Sequence, residues 1–211
     1  MSLITAIEKT RFYLLVTLDD GTQLRLNKRS LTDIPLQEGM ELEPEEHMNR
    51  LAAKQYPRAM EAALYALEGG DKTESRMREY LRRHYYPAEC VDAVLEKLKA
   101  QRLIDDKRYA LRYAENHPEE GKYALQRKLR ARGIGLDEAQ LAAATLDDEA
   151  QLAACRKEAE KLARRYSADE PRDRKRKMSQ ALARRGFGWE VISRALGDEE
   201  DMWEEQEGIL W

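Results

Sequence analysis

The spacing of apolar positions changes character near residue 45. Before it, apolar residues come in short runs. Arg11 to Leu18 is dominated by Phe, Tyr, Leu and Val, and Gln23-Leu24-Arg25-Leu26 alternates polar with apolar. Asp19-Asp20-Gly21-Thr22 lies between them. An Asp-Gly pair between two such runs predicts a hairpin, because glycine takes the positive φ that the tight turn needs. Leu3 to Ile7 supplies a third candidate strand. Pro35 and Gly39 mark a loop, and Met40-Glu41-Leu42 comes next as a short strand. Residues 1–46 are therefore expected to form a small antiparallel β module. It is too small to be more than marginally stable alone and should pack on the helices C-terminal to it.

Beyond Glu45 the apolar period becomes helical. Met60, Ala63, Leu64 and Leu67 fall at i, i+3, i+4 and i+7, one face of a helix. Val91, Val94, Leu95 and Leu98 repeat that spacing, as do Ala139, Ala142, Ala143 and Leu146. Leu152, Cys155, Ala159, Leu162 and Tyr166 make a longer stripe.

These stripes belong to an internal repeat. With Met77, Leu125 and Met178 aligned, Leu81, Leu129 and Leu182 match, then His84, Arg132 and Arg185. Tyr85, Gly133 and Gly186 come next, then Tyr86, Ile134 and Phe187, then Pro87, Gly135 and Gly188. Ala88, Leu136 and Trp189 continue the frame, then Glu89, Asp137 and Glu190. In each unit a basic helix stops at a glycine or tyrosine corner, and a Gly or Pro opens the next helix with an acid in its first turn. An earlier helix precedes each pair, near 57–68, 106–116 and 149–166. Each unit is thus three helices, two of them joined by a tight turn. The expected organisation is a β module at 1–46, repeats at 57–105, 106–148 and 149–197, and a tail at 198–211. Three such units in tandem predict an elongated array, suited to a long partner.

Charge sharpens this picture. The 211 residues carry 37 Lys and Arg against 40 Asp and Glu. That near balance hides a segregation: residues 1–46 have net charge −4, residues 47–196 have +8, and residues 197–211 have −7. A basic middle of this kind points to a polyanionic or acidic partner. The acidic tail could shield it or could simply be disordered. No apolar window is long enough to span a membrane, and Glu8, Lys9 and Arg11 interrupt any secretory leader. Two cysteines, Cys90 and Cys155, both in helical stripes, do not make a disulfide scaffold, and a reducing cytoplasm is the expected setting.

Catalytic chemistry is hard to find. Glu68-Gly69-Gly70-Asp71-Lys72-Thr73 lacks the glycines of a phosphate loop, and Gly133-Ile134-Gly135 reads as a helix corner. His47, His84 and His117 stand apart from any Cys or second His at metal spacing. Asp105-Asp106 reads as a helix N-cap. No enzyme activity, cofactor or metal is expected.

Cations recur on one helix of every unit. Arg76, Arg78, Arg82 and Arg83 lie on the second helix of the first. Lys122, Arg127, Lys128, Arg130 and Arg132 lie on that of the second. Arg172, Arg174, Lys175, Arg176 and Lys177 precede that of the third, with Arg184 and Arg185 at its end. Threefold recurrence favours a positive stripe that binds a partner or DNA. Tyr85, Tyr86, Phe187 and Trp189 could stack bases, but their alignment with Ile134 and Leu136 places them in the core.

Leu103-Ile104-Asp105-Asp106-Lys107-Arg108-Tyr109-Ala110, with Tyr113, Gly121, Leu125 and Leu129 to Ile134, resembles the most characteristic stretch of the RecX family. These are bacterial regulators of the RecA recombinase. Ala62 to Leu67, Thr73 and Met77 to Leu81 resemble that family's first repeat, and Leu182 to Glu190 its third. The resemblance spans residues 57–196. It implies a mostly α fold of three tandem three-helix repeats, here preceded by the β module seen in a subset of the family. It also implies binding along the groove of the RecA–single-stranded DNA filament. Suppressed filament growth, ATP hydrolysis, strand exchange and repressor cleavage are implied with it, hence control of recombination and the SOS response. Candidate contact residues are Arg82, Arg83, Arg127, Lys128, Arg130, Arg132, Arg172, Arg174, Lys175, Arg176, Lys177, Arg184 and Arg185. DNA, single- or double-stranded, is a further candidate partner, and a monomer is expected. Tyr85 departs from the family pattern where glycine is usual, and the tail from Asp198 to Glu207 lies outside that pattern.

The competing reading is a helix-turn-helix DNA regulator acting without RecA. It fits less well, because residues 88–98 carry Glu89, Asp92 and Glu96 and residues 136–146 carry no Lys or Arg.

Overall fold

The computed structural model describes residues 1–197. The acidic tail therefore lies outside the described residues. Two compact units divide at Asp105 and Asp106.

The first unit opens with four strands, β1 (Ser2–Lys9), β2 (Leu14–Leu18), β3 (Gln23–Leu26) and β4 (Glu41–Leu42). All pair antiparallel in the order β3-β2-β1-β4. The β2–β3 hairpin pairs Leu14 with Leu26 and Val16 with Leu24, and Gly21 takes φ +82° in its turn. One face buries Ile4, Leu14, Val16, Leu18 and Leu26. A single helical turn, α1 (Ser30–Asp33), joins β3 to the loop before β4.

The next helix, α2 (Pro44–Glu68), starts well before residue 57, and Pro57 lies inside it. An interior proline removes one helix hydrogen bond. The helix survives because it serves two cores. Leu51 packs under the β sheet, while Ala52, Ala59 and Ala63 pack with the next two helices, α3 (Glu74–Arg83) and α4 (Ala88–Ala100). Leu64, assigned to the buried stripe by its spacing, is 41% exposed. The β module is fastened to α2 and the α3–α4 corner by polar contacts as well. Gln55 donates to Ser30 Oγ at 3.0 Å, Arg58 pairs with Asp33, and Asn27 donates to the His84 carbonyl at 2.7 Å.

The second unit contains α5 (Asp106–Glu115), α6 (Lys122–Arg130), α7 (Leu136–Ala144), α8 (Asp148–Arg165), α9 (Pro171–Arg184) and a tenth helix, α10 (189–197). With α2–α4 these make three three-helix repeats. Each repeat has its own apolar core, built on Leu81, Val94 and Leu98, on Leu125, Leu129 and Ile134, and on Leu152, Leu182 and Phe187. Arg172 to Lys177 lie within α9 and do not precede it, since Pro171 supplies the preset φ of a first helical residue.

The corner is the same in all three repeats. Tyr85, Gly133 and Gly186 have φ of +58°, +83° and +88°. Their backbone N–H groups donate to the carbonyls of Arg82, Arg130 and Ala183, each at 2.9 Å. A left-handed residue at this point ends a helix and turns the chain into the next one. Tyr85 takes that conformation despite its side chain, and its ring packs on Tyr13 of β2's leading turn at 4.8 Å.

Candidate interaction surface

The second and third repeats meet within the second unit through backbone. Tyr123 N–H donates to the Gly186 carbonyl at 3.0 Å. A Cβ on Gly121 would stand 2.3 Å from the Gly186 carbonyl carbon, and one on Gly186 would stand 2.1 Å from the Ala124 nitrogen. Only glycine permits this approach. Gln151 of α8, fully buried, fastens the segment before α6. Its Nε2 donates to the carbonyls of Pro118 and Glu120 at 3.0 and 2.8 Å, and its Oε1 accepts from Lys122 N–H at 3.2 Å.

These joints define a groove of about 450 Å³ between α6, α8 and the C-terminal end of α9. Arg127, Lys128, Arg184 and Arg185 line it, joined by Lys157 and Lys161 of α8, which sequence reasoning missed. Three carboxylates also line it. Lys128 pairs with Glu120 at 2.5 Å, and that hydrogen bond raises the lysine pKa above its ordinary value. Glu158 takes Lys161 at 2.5 Å and Arg185 at 2.9 Å, and its carboxyl is held below the usual range, chiefly by the Lys161 hydrogen bond. Arg127 donates to the Arg184 carbonyl at 3.0 Å. Among the described residues Arg127, Lys157 and Arg184 form no ion pair. No carboxylate among the described residues takes up their charge.

The other expected contact residues fall elsewhere. Arg82 and Arg83 are exposed at the end of α3 in the first unit, with Arg83 paired to Glu79. Arg130 is exposed on α6. Arg132 turns back on its own repeat, over the Tyr113 ring at 4.6 Å. Arg172, Arg174, Lys175, Arg176 and Lys177 occupy the first two turns of α9, about 10 to 18 Å along the helix from Arg184 by the α-helical rise. Arg176 pairs with Asp173 at 3.0 Å and Lys177 with Asp169 at 2.9 Å.

The aromatics divide. Phe187 is buried, and Tyr85 and Tyr86 are half-buried. Trp189, expected in the core, is 73% exposed, and its counterpart Leu136 is 48% exposed. Both stand in the first turn of a third helix, on the side away from the repeat's core, so alignment with an apolar residue does not make the slot buried.

The histidines and cysteines do not line this groove. Burial lowers the His47 pKa, with Arg50 adding to the effect, and pushes the Cys90 thiol up to about 11. His84 and His117 donate Nδ1–H to the carbonyls of Tyr80 and Tyr113, each at 2.8 Å. Among the described residues no cluster of His, Cys, Asp and Glu could hold a metal, and no helix is long and apolar enough to cross a membrane.

The chain resembles known proteins along nearly its whole length. Residues 59–98 match the family model for the first three-helix domain of RecX, and residues 148–196 match that for the third. A regulatory protein RecX of Limosilactobacillus reuteri is 32% identical over 186 residues, covering 85% of this chain and 70% of the relative. One from Streptococcus mutans is 29% identical over 92% of this chain and 76% of its own length. A crystal structure of a regulatory protein RecX superposes with a TM-score of 0.66 at 28% identity, covering 93% of this chain and all of that one. A RecX from Lactobacillus salivarius gives 0.65, also at 28% identity, over 69% of this chain and 97% of that one. With three three-helix repeats, a repeated left-handed corner and relatives at this identity, the chain belongs to the RecX family of regulatory proteins.

Proposed function

We propose that this chain binds the RecA–single-stranded DNA filament and inhibits its growth. ATP hydrolysis, strand exchange and repressor cleavage then fall, and recombination and the SOS response are modulated. Family membership supports the regulatory role. The observation that carries the finer reading is the groove of the second unit, where Arg127, Lys157 and Arg184 present charge that no carboxylate among the described residues takes up. A filament repeats the same acidic protein and phosphate surface at every protomer. Several cationic patches on one chain can engage it together, gaining by multivalency.

The test is RecA ATPase on single-stranded DNA, titrated with this protein. Inhibition well below one molecule per RecA protomer is the expected result, because a bound molecule that blocks growth affects many protomers. An unchanged ATPase at equimolar protein, folded by circular dichroism, refutes the proposal.

A further inference from the structure

The groove of the second unit carries more than charge. Six cations against three carboxylates line it, a net of +3. Its apolar wall is Ala124 and Ala154, both half-buried, with Phe187. Arg127, Lys157 and Arg184 are exposed and form no ion pair among the described residues. Glu120 takes Lys128 on Oε1, but its Oε2 is buried and has no hydrogen-bond partner. A ligand that matches this surface combines carboxylates for the cations, apolar side chains for the wall and an uncharged donor for Glu120. A bare phosphate supplies only the first.

Residues 198–211 of this chain supply all three. They hold seven Asp and Glu and no Lys or Arg. Met202, Trp203, Ile209, Leu210 and Trp211 are set among the acids. A run that served only to stay solvated would carry few such residues. The indole N–H groups of Trp203 and Trp211 and the Gln206 amide are uncharged donors. The reach is sufficient. Helix α10 ends at residue 197, and its Ile192, Ala195 and Leu196 pack with Leu152, Cys155 and Leu162 of α8. That helix brings Lys157 and Lys161 to the groove, and its 18 residues extend about 27 Å by the α-helical rise. The 14 residues beyond 197 span up to about 46 Å when extended.

We propose that residues 198–211 dock in cis into the groove between α6, α8 and the end of α9, and occlude it against other acidic partners. Their carboxylates pair with Arg127, Lys157 and Arg184, and their apolar side chains cover the wall. A tether of this length sets an effective concentration on the order of 1 mM, so a contact with a Kd of only about 0.1 mM fills the groove about nine times in ten. A partner that repeats its acidic surface displaces the tail by multivalency. The consequence for filament binding rests on the reading of the groove as a filament contact, whereas the docking itself does not.

The test uses full-length chains and a fluorescein-labelled peptide of residues 198–211, followed by anisotropy without recombinase. In one chain the seven tail acids are neutralised, Asp to Asn and Glu to Gln. That chain should bind the peptide with a Kd of about 0.1 mM, and wild type about tenfold more weakly, because its own tail competes. Lys157→Glu with Arg184→Glu, placed in the neutralised chain, should weaken peptide binding by about tenfold or more. Arg82→Glu with Arg83→Glu, the same charge change in the first unit, should leave it nearly unchanged. A peptide with Trp203, Ile209, Leu210 and Trp211 replaced by serine should bind about fivefold more weakly at equal charge. Thermal melts check that the variants are folded. Equal peptide affinity for wild type and the neutralised chain overturns the proposal, as does equal loss from the two charge-reversed pairs. A wild-type dimer in sedimentation that dissociates on neutralising the tail gives the groove to a second copy's tail, and overturns docking in cis. In the ATPase titration the neutralised chain should inhibit at about tenfold lower concentration than wild type. Inhibition by both chains at the same concentration overturns the occlusion. If the peptide competes as expected but neither chain inhibits, the filament reading fails and the docking stands. If wild type inhibits but the peptide binds neither chain, the docking fails and the filament reading stands.

Discussion

Tyr85 is the residue where local backbone preference and tertiary contact oppose each other. A non-glycine residue in the left-handed region costs about 1–2 kcal/mol, and Gly133 and Gly186 avoid that cost at the same corner. The Tyr13 ring at 4.8 Å supplies an aromatic contact worth about 0.5–1.5 kcal/mol. Two substitutions separate these contributions. Tyr85→Ala loses the ring and keeps the strained φ, so it should destabilise the fold by about 1 kcal/mol in urea unfolding. Tyr85→Gly loses the ring but relieves the backbone, and should stand about 1 kcal/mol above the alanine variant. Equal stabilities for the two would mean the corner relaxes when the ring goes. The sequence showed that this slot differs from its two counterparts. It could not show that the turn persists, because the compensating contact comes from Tyr13, more than seventy residues away.

Among the elements, α6 is positioned from outside itself. It has nine residues and begins at Gly121 without a side-chain cap, so it has little intrinsic stability. Gln151 and the Gly121–Gly186 contact hold its start. Gln151→Ala would leave two carbonyls and one N–H in a part-buried place without this partner, each costing up to about 1–3 kcal/mol where water does not replace it. A loss of several kcal/mol, less whatever water recovers, is expected in the unfolding of the second unit. Amide exchange at the start of α6 should accelerate with it, whereas α3 should be unaffected. Sequence periodicity found the helices and their cores because each repeat closes its own core with a 3.6-residue stripe, as in Ala139, Ala142, Ala143 and Leu146. It misplaced the start of α2 because that helix serves two cores on different faces, which blurs a single stripe. It missed Gln151, Lys157 and Lys161 because their roles depend on which α8 side chains face α6, and no local pattern encodes that. Trp189 was misassigned for a related reason: slot alignment carries over the position along the helix but not its exposure.

For the whole molecule, the question is whether the cations act together. The +8 of residues 47–196 is spread over both units, with Arg82 and Arg83 in the first and the Arg127, Lys157 and Arg184 groove in the second. An exposed charge contact contributes only about 0.2–1 kcal/mol, so a single substitution should be nearly silent. Reversal of a pair is a better probe. Arg82→Glu with Arg83→Glu, or Arg127→Glu with Arg184→Glu, should each weaken filament binding roughly tenfold, or about 1.4 kcal/mol. If both units touch the same filament, the quadruple variant should lose roughly the product of the two effects, because the sites are separate and their free energies add. The slope of log Kd against log salt should flatten with each pair, since fewer counterions are released. Binding measured on immobilised filaments in nonhydrolysable nucleotide keeps the reading free of ATPase kinetics. An effect from the second-unit pair alone would confine the contact to the groove. Undiminished binding by the quadruple variant, with an unchanged salt slope, would mean that the recurring basic helix faces solvent and that the filament is recognised through another surface.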